Sequence, residues 1–247
     1  MLIAIQESLL GAPTPADMFE RAAALGIDGI EVDGADLEAR VPDIDAAAAQ
    51  TGIRVAAVHF GWQGAILSPD VAERERALKL LRSNIACAVD LNALGVVWVP
   101  HYGANIMPDL SPWMSPGQMQ AEMLHQHLRT LSDFSHALGV KLFIQNAPAD
   151  ETAFITDLDQ AGAVVKRIKH PDVLIALNLG AGADNGTLPT LAPQIGYVSL
   201  PMDAEATALS ALRATDYNGW ITLSGAAPLP DAPIRTTLAA VRQAFGA

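Results

Sequence analysis

The chain has a single cysteine, Cys87. No disulfide can form within it, and the paired-cysteine patterns of zinc sites are missing. Cys87 stands in a helix-like stretch, ALKLLRSNIACAVDLNAL, where a small buried side chain is a better reading than a catalytic thiol. Positive charge is scarce too: 15 Lys and Arg face 27 Asp and Glu, a formal net charge of −12. Nucleic-acid binding rests on neutralising phosphates with Lys and Arg, so no nucleic-acid partner is expected. Long apolar runs are absent, none reaching the roughly 18 residues that span a bilayer. The opening MLIAIQESLL lacks a basic flank and a small-residue cleavage site, so it reads as a first strand rather than a signal peptide. A cytoplasmic location without membrane contact is the expectation. No GxGxxG follows that strand, which argues against a doubly wound dinucleotide-binding sheet, the runner-up fold.

Hydrophobic residues supply 51% of the chain, enough for a sizeable core. They come in short bursts with a recurrent prelude. A helix-like stretch reaches a glycine and a Val/Ile-rich run begins at once, as in AALGIDGIEV, AQTGIRVAAV, NALGVVWVP, HALGVKLFI and YNGWITL. Glycine stops a helix by taking the left-handed conformation cheaply. The runs that follow are too short for helices and read as strands. Eight emerge, at 2–6, 28–33, 54–59, 96–101, 141–146, 173–178, 196–200 and 220–224. Amphipathic stretches lie between them. One carries Leu124, Leu128, Leu131, Phe134 and Leu138 at three- and four-residue steps. Thr14 before Pro15 suits a cap followed by a first-turn proline. Strict β/α alternation predicts a parallel sheet wrapped by helices. Eight units over residues 1–247 match a single-domain α/β (β/α)8 TIM barrel. The segment NIMPDLSPWMSPGQ reads as a long loop above the fourth strand, a candidate lid.

Barrel chemistry sits at the C-terminal strand ends, and every predicted strand ends in a polar group. In order these are Gln6; Glu31 and Asp33; His59; His101; Gln145 and Asn146; Asn178; Ser199; and Ser224. The LGIDGIEV segment with Glu31, the AAVHF strand with His59 and this order of strand ends resemble the xylose isomerase-like TIM barrels. That family includes sugar isomerases and epimerases, inosose dehydratases and the endonuclease IV group. The resemblance implies a divalent metal held by Glu, Asp, His and Glu from the fifth to eighth strands. Those positions fall here at Gln145, Asn178, Ser199 and Ser224, and a His often found three residues after the Asp falls at Ala181. Two amides and two hydroxyls would replace three carboxylates and an imidazole. The ligand charge falls from about −3 to zero, so tight divalent binding should be lost, and no cofactor is expected.

The remaining titratable groups suggest metal-free proton transfer, with Glu31 as base and His59 or His101 as acid or carbonyl polariser. Gln6, Asp33, Gln145, Asn178, Ser199 and Ser224 would hold a small polar molecule, sugar- or polyol-like. Trp62 and Trp113 would cover it. Structural alternatives stand beside each role. Glu31 can pair at the barrel mouth, the two histidines can be satisfied structurally, and the amides can form a network that binds nothing. Glu31, Asp33, His59 and His101 could also assemble a relocated metal site. Three functions follow: a metal-independent isomerase, epimerase or lyase; a non-catalytic binding protein; or a subunit that needs a partner. A homodimer is as compatible with the sequence as a monomer.

Overall fold

A computed structural model describes residues 1–61, 63–181, 186–204 and 206–246. Eight strands run in parallel: β1 (Leu2–Gln6), β2 (Gly29–Asp33), β3 (Arg54–His59), β4 (Gly95–Trp98), β5 (Lys141–Gln145), β6 (Val173–Asn178), β7 (Ile195–Pro201) and β8 (Trp220–Ser224). They pair in chain order, and β8 returns to β1 through Leu2–Trp220 and its neighbours. The sheet is therefore closed: a single (β/α)8 TIM barrel rather than an open doubly wound sheet. Among the described residues no helix is long and apolar enough to cross a membrane.

The local signals explain most boundaries. Thr14 caps the helix Pro15–Leu25 by accepting from Asp17 N, and Gly26 ends it at φ 74°. Gly52 closes Leu37–Thr51 in the same way. Gly95 departs from this pattern. The helix Val71–Asp90 has already stopped, with Asn92 in the left-handed region at φ 52°. Gly95 instead opens β4, where a Cβ would lie 2.2 Å from the Lys141 carbonyl oxygen. β4 also ends at Trp98, short of the 96–101 expected, because Pro100 has no N–H for a ladder bond.

Two apolar layers hold the barrel. The outer one packs helices on strands through residues such as Leu81, Ile85, Leu124, Leu128 and Leu238. The inner one fills the barrel with Ala4, Ala56, Ala57, Val97, Phe143, Ala176, Tyr197 and Trp220. Small residues from β1, β3 and β6 make room for three large rings, and Phe143 and Tyr197 lie 5.5 Å apart by ring centroid. At the N-terminal mouth, Trp220 packs where a Cβ on Gly29 would approach it to 2.7 Å. The Arg54 guanidinium lies 4.8 Å over that indole. The barrel is thus plugged at this end, and space remains at the other.

Candidate functional site

A cavity of about 1160 Å³ opens at the C-terminal ends of the strands. Eight of the residues expected from the sequence line it: Gln6, Glu31, Asp33, His59, Gln145, Asn178, Ser199 and Ser224. His101 and Trp113 do not. His101 is buried, with Nε2 2.8 Å from the Ala104 carbonyl oxygen. Its own carbonyl accepts from Thr152 Oγ1 at 2.6 Å, so it ties the loops after β4 and β5. Trp113 is 87% exposed on the loop after β4. Trp62 lies outside the described residues. Phe60, Trp98 and Met107 pack in the outer core, whereas Tyr102 reaches the cavity wall.

Glu31 is the chemically exceptional member. Its register neighbour across the β1–β2 pair is Gln6. Gln6 Nε2 donates to Glu31 Oε1 at 2.7 Å, and Gln6 Oε1 accepts from Gly225 N at 3.0 Å. The amide is therefore fixed with its donor toward the carboxylate. Glu31 is 2% exposed, and its second oxygen, Oε2, is buried with no hydrogen-bond partner. A carboxylate oxygen is expensive to leave unpaired away from water. Below it in the barrel, the Tyr197 hydroxyl bonds Thr222 Oγ1. Burial and then the Glu31 charge push that phenol well above its usual range.

The far wall is neutral. Ser199 Oγ donates to Ser224 Oγ at 2.8 Å. Asn178 Oδ1 accepts from Gly180 N at 2.9 Å, closing the turn that leaves β6. Asn146, fully buried, holds this turn from outside the cavity: its Oδ1 accepts from Asn178 N at 2.9 Å and its Nδ2 donates to the Ala181 carbonyl at 2.7 Å. It is a positioning residue for Asn178.

Several lining residues escaped the sequence reading. Glu7 follows Gln6 by one residue and accepts from Asp33 N at 2.9 Å. Arg40 Nη2 reaches both Glu7 oxygens at 2.8 Å. Asp150 and Glu151 come from the loop after β5, and Asp203 from the loop after β7. Burial, then the Asp150 charge, raises the Glu151 carboxyl above its ordinary value, and His59 opposes that shift. Their signal was available as APADE and MDAE just past two strand ends.

Among the described residues, one group of three potential metal-ligating side chains converges: His136, His170 and Asp172, with ligand atoms within 4.8 Å of one another. It sits at the N-terminal end of the barrel, around the turn into β6, where His136 Nδ1 lies 2.6 Å from Asp172 Oδ2. Glu31, Asp33, His59 and His101 do not form such a group, so the relocated site considered from the sequence is not assembled.

The xylose isomerase-like TIM barrel model matches residues 19–198, and the chain belongs to that family. No curated protein matches it in sequence. Solved structures similar to it include the 3-keto-D-glucoside 4-epimerase YcjR from E. coli, with TM-score 0.84, 20% identity and coverage of 98% of this chain and 99% of that one. D-Psicose 3-epimerase with D-tagatose from Clostridium cellulolyticum H10 has TM-score 0.84 at 14% identity, covering 99% of each chain. The IOLI protein with a bound zinc atom has TM-score 0.78 at 16% identity, covering 100% of each. At these identities the likeness is one of fold.

Proposed function

We propose that this protein moves a proton on a small polyhydroxy carbonyl compound, as an isomerase or epimerase does, without the metal set its family commonly uses. The observation that carries the reading is Glu31: a buried carboxylate that lines a polar cavity and is oriented by Gln6 through one oxygen. That is the geometry of a positioned base. In the step envisaged, the Glu31 carboxylate takes the proton from the carbon beside the carbonyl. The C–H electron pair forms the carbon–carbon double bond, and the carbonyl electrons move to oxygen. His59, in the same wall, donates to that oxygen. If the enediol turns over before Glu31 returns the proton to the same carbon, and His59 takes back the oxygen-bound proton, the carbonyl re-forms as an epimer; return to the former carbonyl carbon, with His59 taking the proton of the hydroxyl on the first carbon, gives an isomer. Gln145, Asn178, Ser199 and Ser224 hold substrate hydroxyls. His101 keeps a structural role here.

The metal-free part rests on donor chemistry. The four positions matching the family's ligands offer two amide and two hydroxyl groups, and the two hydroxyls bond each other. A divalent cation held there would meet no anionic ligand. The sugar epimerases among the similar folds support the reaction class. The test is solvent deuterium exchange into ketohexoses, followed by NMR. Exchange is expected with the native chain and a loss of about 10²–10⁴-fold in Glu31→Gln and His59→Gln. The Ser199–Ser224 bond favours a second reading, a non-catalytic binding protein, since these hydroxyls satisfy each other. Saturable sugar binding with no exchange in any variant would select it.

A further inference from the structure

The group at the N-terminal end of the barrel stands apart from the cavity. One nitrogen each from His136 and His170 and one oxygen of Asp172 lie within 4.8 Å of one another. They come from two turns whose backbones are fixed. His136 stands in the last turn of the helix Pro116–Ala137, and its carbonyl accepts from Gly139 N at 3.0 Å. His170, Pro171 and Asp172 form the turn into β6, closed by Val173 N donating to the His170 carbonyl at 3.2 Å. The Asp172 carbonyl accepts from Leu142 N of β5 at 2.8 Å. An ion pair accounts for two of the three side chains, since His136 Nδ1 lies 2.6 Å from Asp172 Oδ2. His170 is the third. It stands edge-on to His136, with ring centroids 5.4 Å apart and planes at 81°. Imidazole lone pairs lie in the ring plane, so perpendicular rings can aim two of them at one point without stacking. Asp172 N donates to His170 Nδ1 at 3.2 Å, so that nitrogen carries a lone pair rather than a proton. His136 ends one helix, and His170 follows the end of another, Leu158–Ile168, by two residues. The negative ends of two helix dipoles therefore favour a cation here.

We propose that His136, His170 and Asp172 hold a divalent transition-metal ion, Zn²⁺ by preference, with water completing a tetrahedron. Two imidazoles and a carboxylate suit zinc, whereas magnesium and calcium take oxygen ligands. Bonds of about 2.0–2.2 Å place the ligand atoms of a tetrahedral zinc site roughly 3.3 Å apart. The His136–Asp172 pair is tighter than that and opens by rotation of solvent-facing side chains, the His136 side chain being 65% exposed. The ion takes the place of the hydrogen between Nδ1 and Oδ2, and the His136 ring then carries its proton on Nε2. It also displaces the long Asp172 N–H contact at His170. This site is independent of the proton-transfer reading, because it lies at the opposite end of the strands from the cavity. Its ion joins a helix end to the entry of β6 and acts as a clamp. Three ligands open to solvent make it a reversible site, whose ion is read at equilibrium and is lost on desalting.

Calorimetric titration of Zn²⁺ into the full chain, in a buffer that does not bind the metal, tests this. One ion per chain should bind at this site, and millimolar Mg²⁺ should not compete. His136→Gln and His170→Gln should each weaken binding about tenfold or more. His125→Gln, on the same helix as His136, and His59→Gln, in the cavity, should leave it unchanged. Zn²⁺ should also raise the melting temperature of the native chain but not of His170→Gln, since an ion that binds the folded state stabilises it. His170→Gln keeps the His136–Asp172 pair, so an effect confined to that pair would not respond to it. No binding at millimolar Zn²⁺, binding that survives both His136→Gln and His170→Gln, or binding lost in His59→Gln would overturn the proposal.

Discussion

Gln6 and Glu31 face each other from adjacent strands, and a single 2.7 Å bond joins the amide to the carboxylate. The amide cannot turn over without also losing Gly225 N, which holds its oxygen at 3.0 Å. Gln6 thereby fixes one Glu31 oxygen and holds the carboxylate in place at the cavity wall.

Replacing Gln6 should therefore act through Glu31. Gln6→Leu removes a charge-assisted hydrogen bond and is expected to lower stability by about 1.5–3 kcal/mol. Gln6→Glu removes the donor and sets a like charge against the carboxylate. Deuterium exchange should then slow in Gln6→Glu. An unchanged exchange rate would separate Gln6 from the base.

The neutral wall can be converted. Gln145→Glu, Asn178→Asp, Ser199→His and Ser224→Glu together restore three carboxylates and an imidazole at the family's ligand positions. Elemental analysis after incubation with Mn²⁺ or Zn²⁺ and desalting should give near one metal per chain in the fourfold variant and well below one in the native chain. Stoichiometric metal in the native chain would refute the loss of the site.

Gly29 lies under the Trp220 ring, with an added Cβ 2.7 Å from it. Gly29→Ala forces the indole or the strand to shift. A loss of about 1–3 kcal/mol is expected, seen as a fall in Tm of about 2–4 °C per kcal/mol for a chain of this size. Exchange activity in the folded fraction should be little affected, since the clash is at the plugged end.

Glu151 gives a pH prediction. Its folded-state carboxyl is raised, by burial and then by Asp150, so the native state binds its proton more strongly than the unfolded chain does. Stability from this group is then lost as pH rises from below the ordinary carboxyl value to above the folded one. Glu151→Gln should melt at or above the native temperature at pH 7. The difference should vanish near about pH 3, where both states are protonated. A variant less stable at pH 7 would show that the charge is wanted where it stands.

The barrel was legible because its signals are local and repeated. Gly26 and Gly52 stop helices, and the Val/Ile runs after them are buried strands. Seven of the eight expected strand ends, all but the fourth, place a residue in the cavity wall, eight residues in all. What the sequence withheld depends on direction and on loops. His101 and His59 both stood at expected strand ends, yet β4 stops at Trp98 and carries His101 into a loop that folds it onto Ala104. Glu7, Asp150, Glu151 and Asp203 lie past strand ends, so no period of two pointed them inward. The unpartnered Glu31 oxygen is a property of three dimensions alone.

The plug formed by Trp220, Gly29 and Arg54 lies at one mouth, and the cavity at the other. Folding and chemistry thus occupy separate storeys of the same eight strands. A ligand residue at the upper storey can be exchanged for an amide or a hydroxyl without unsettling the packing beneath. Such a molecule can surrender one chemistry, wait in a neutral state, and be refitted for another while it remains folded throughout.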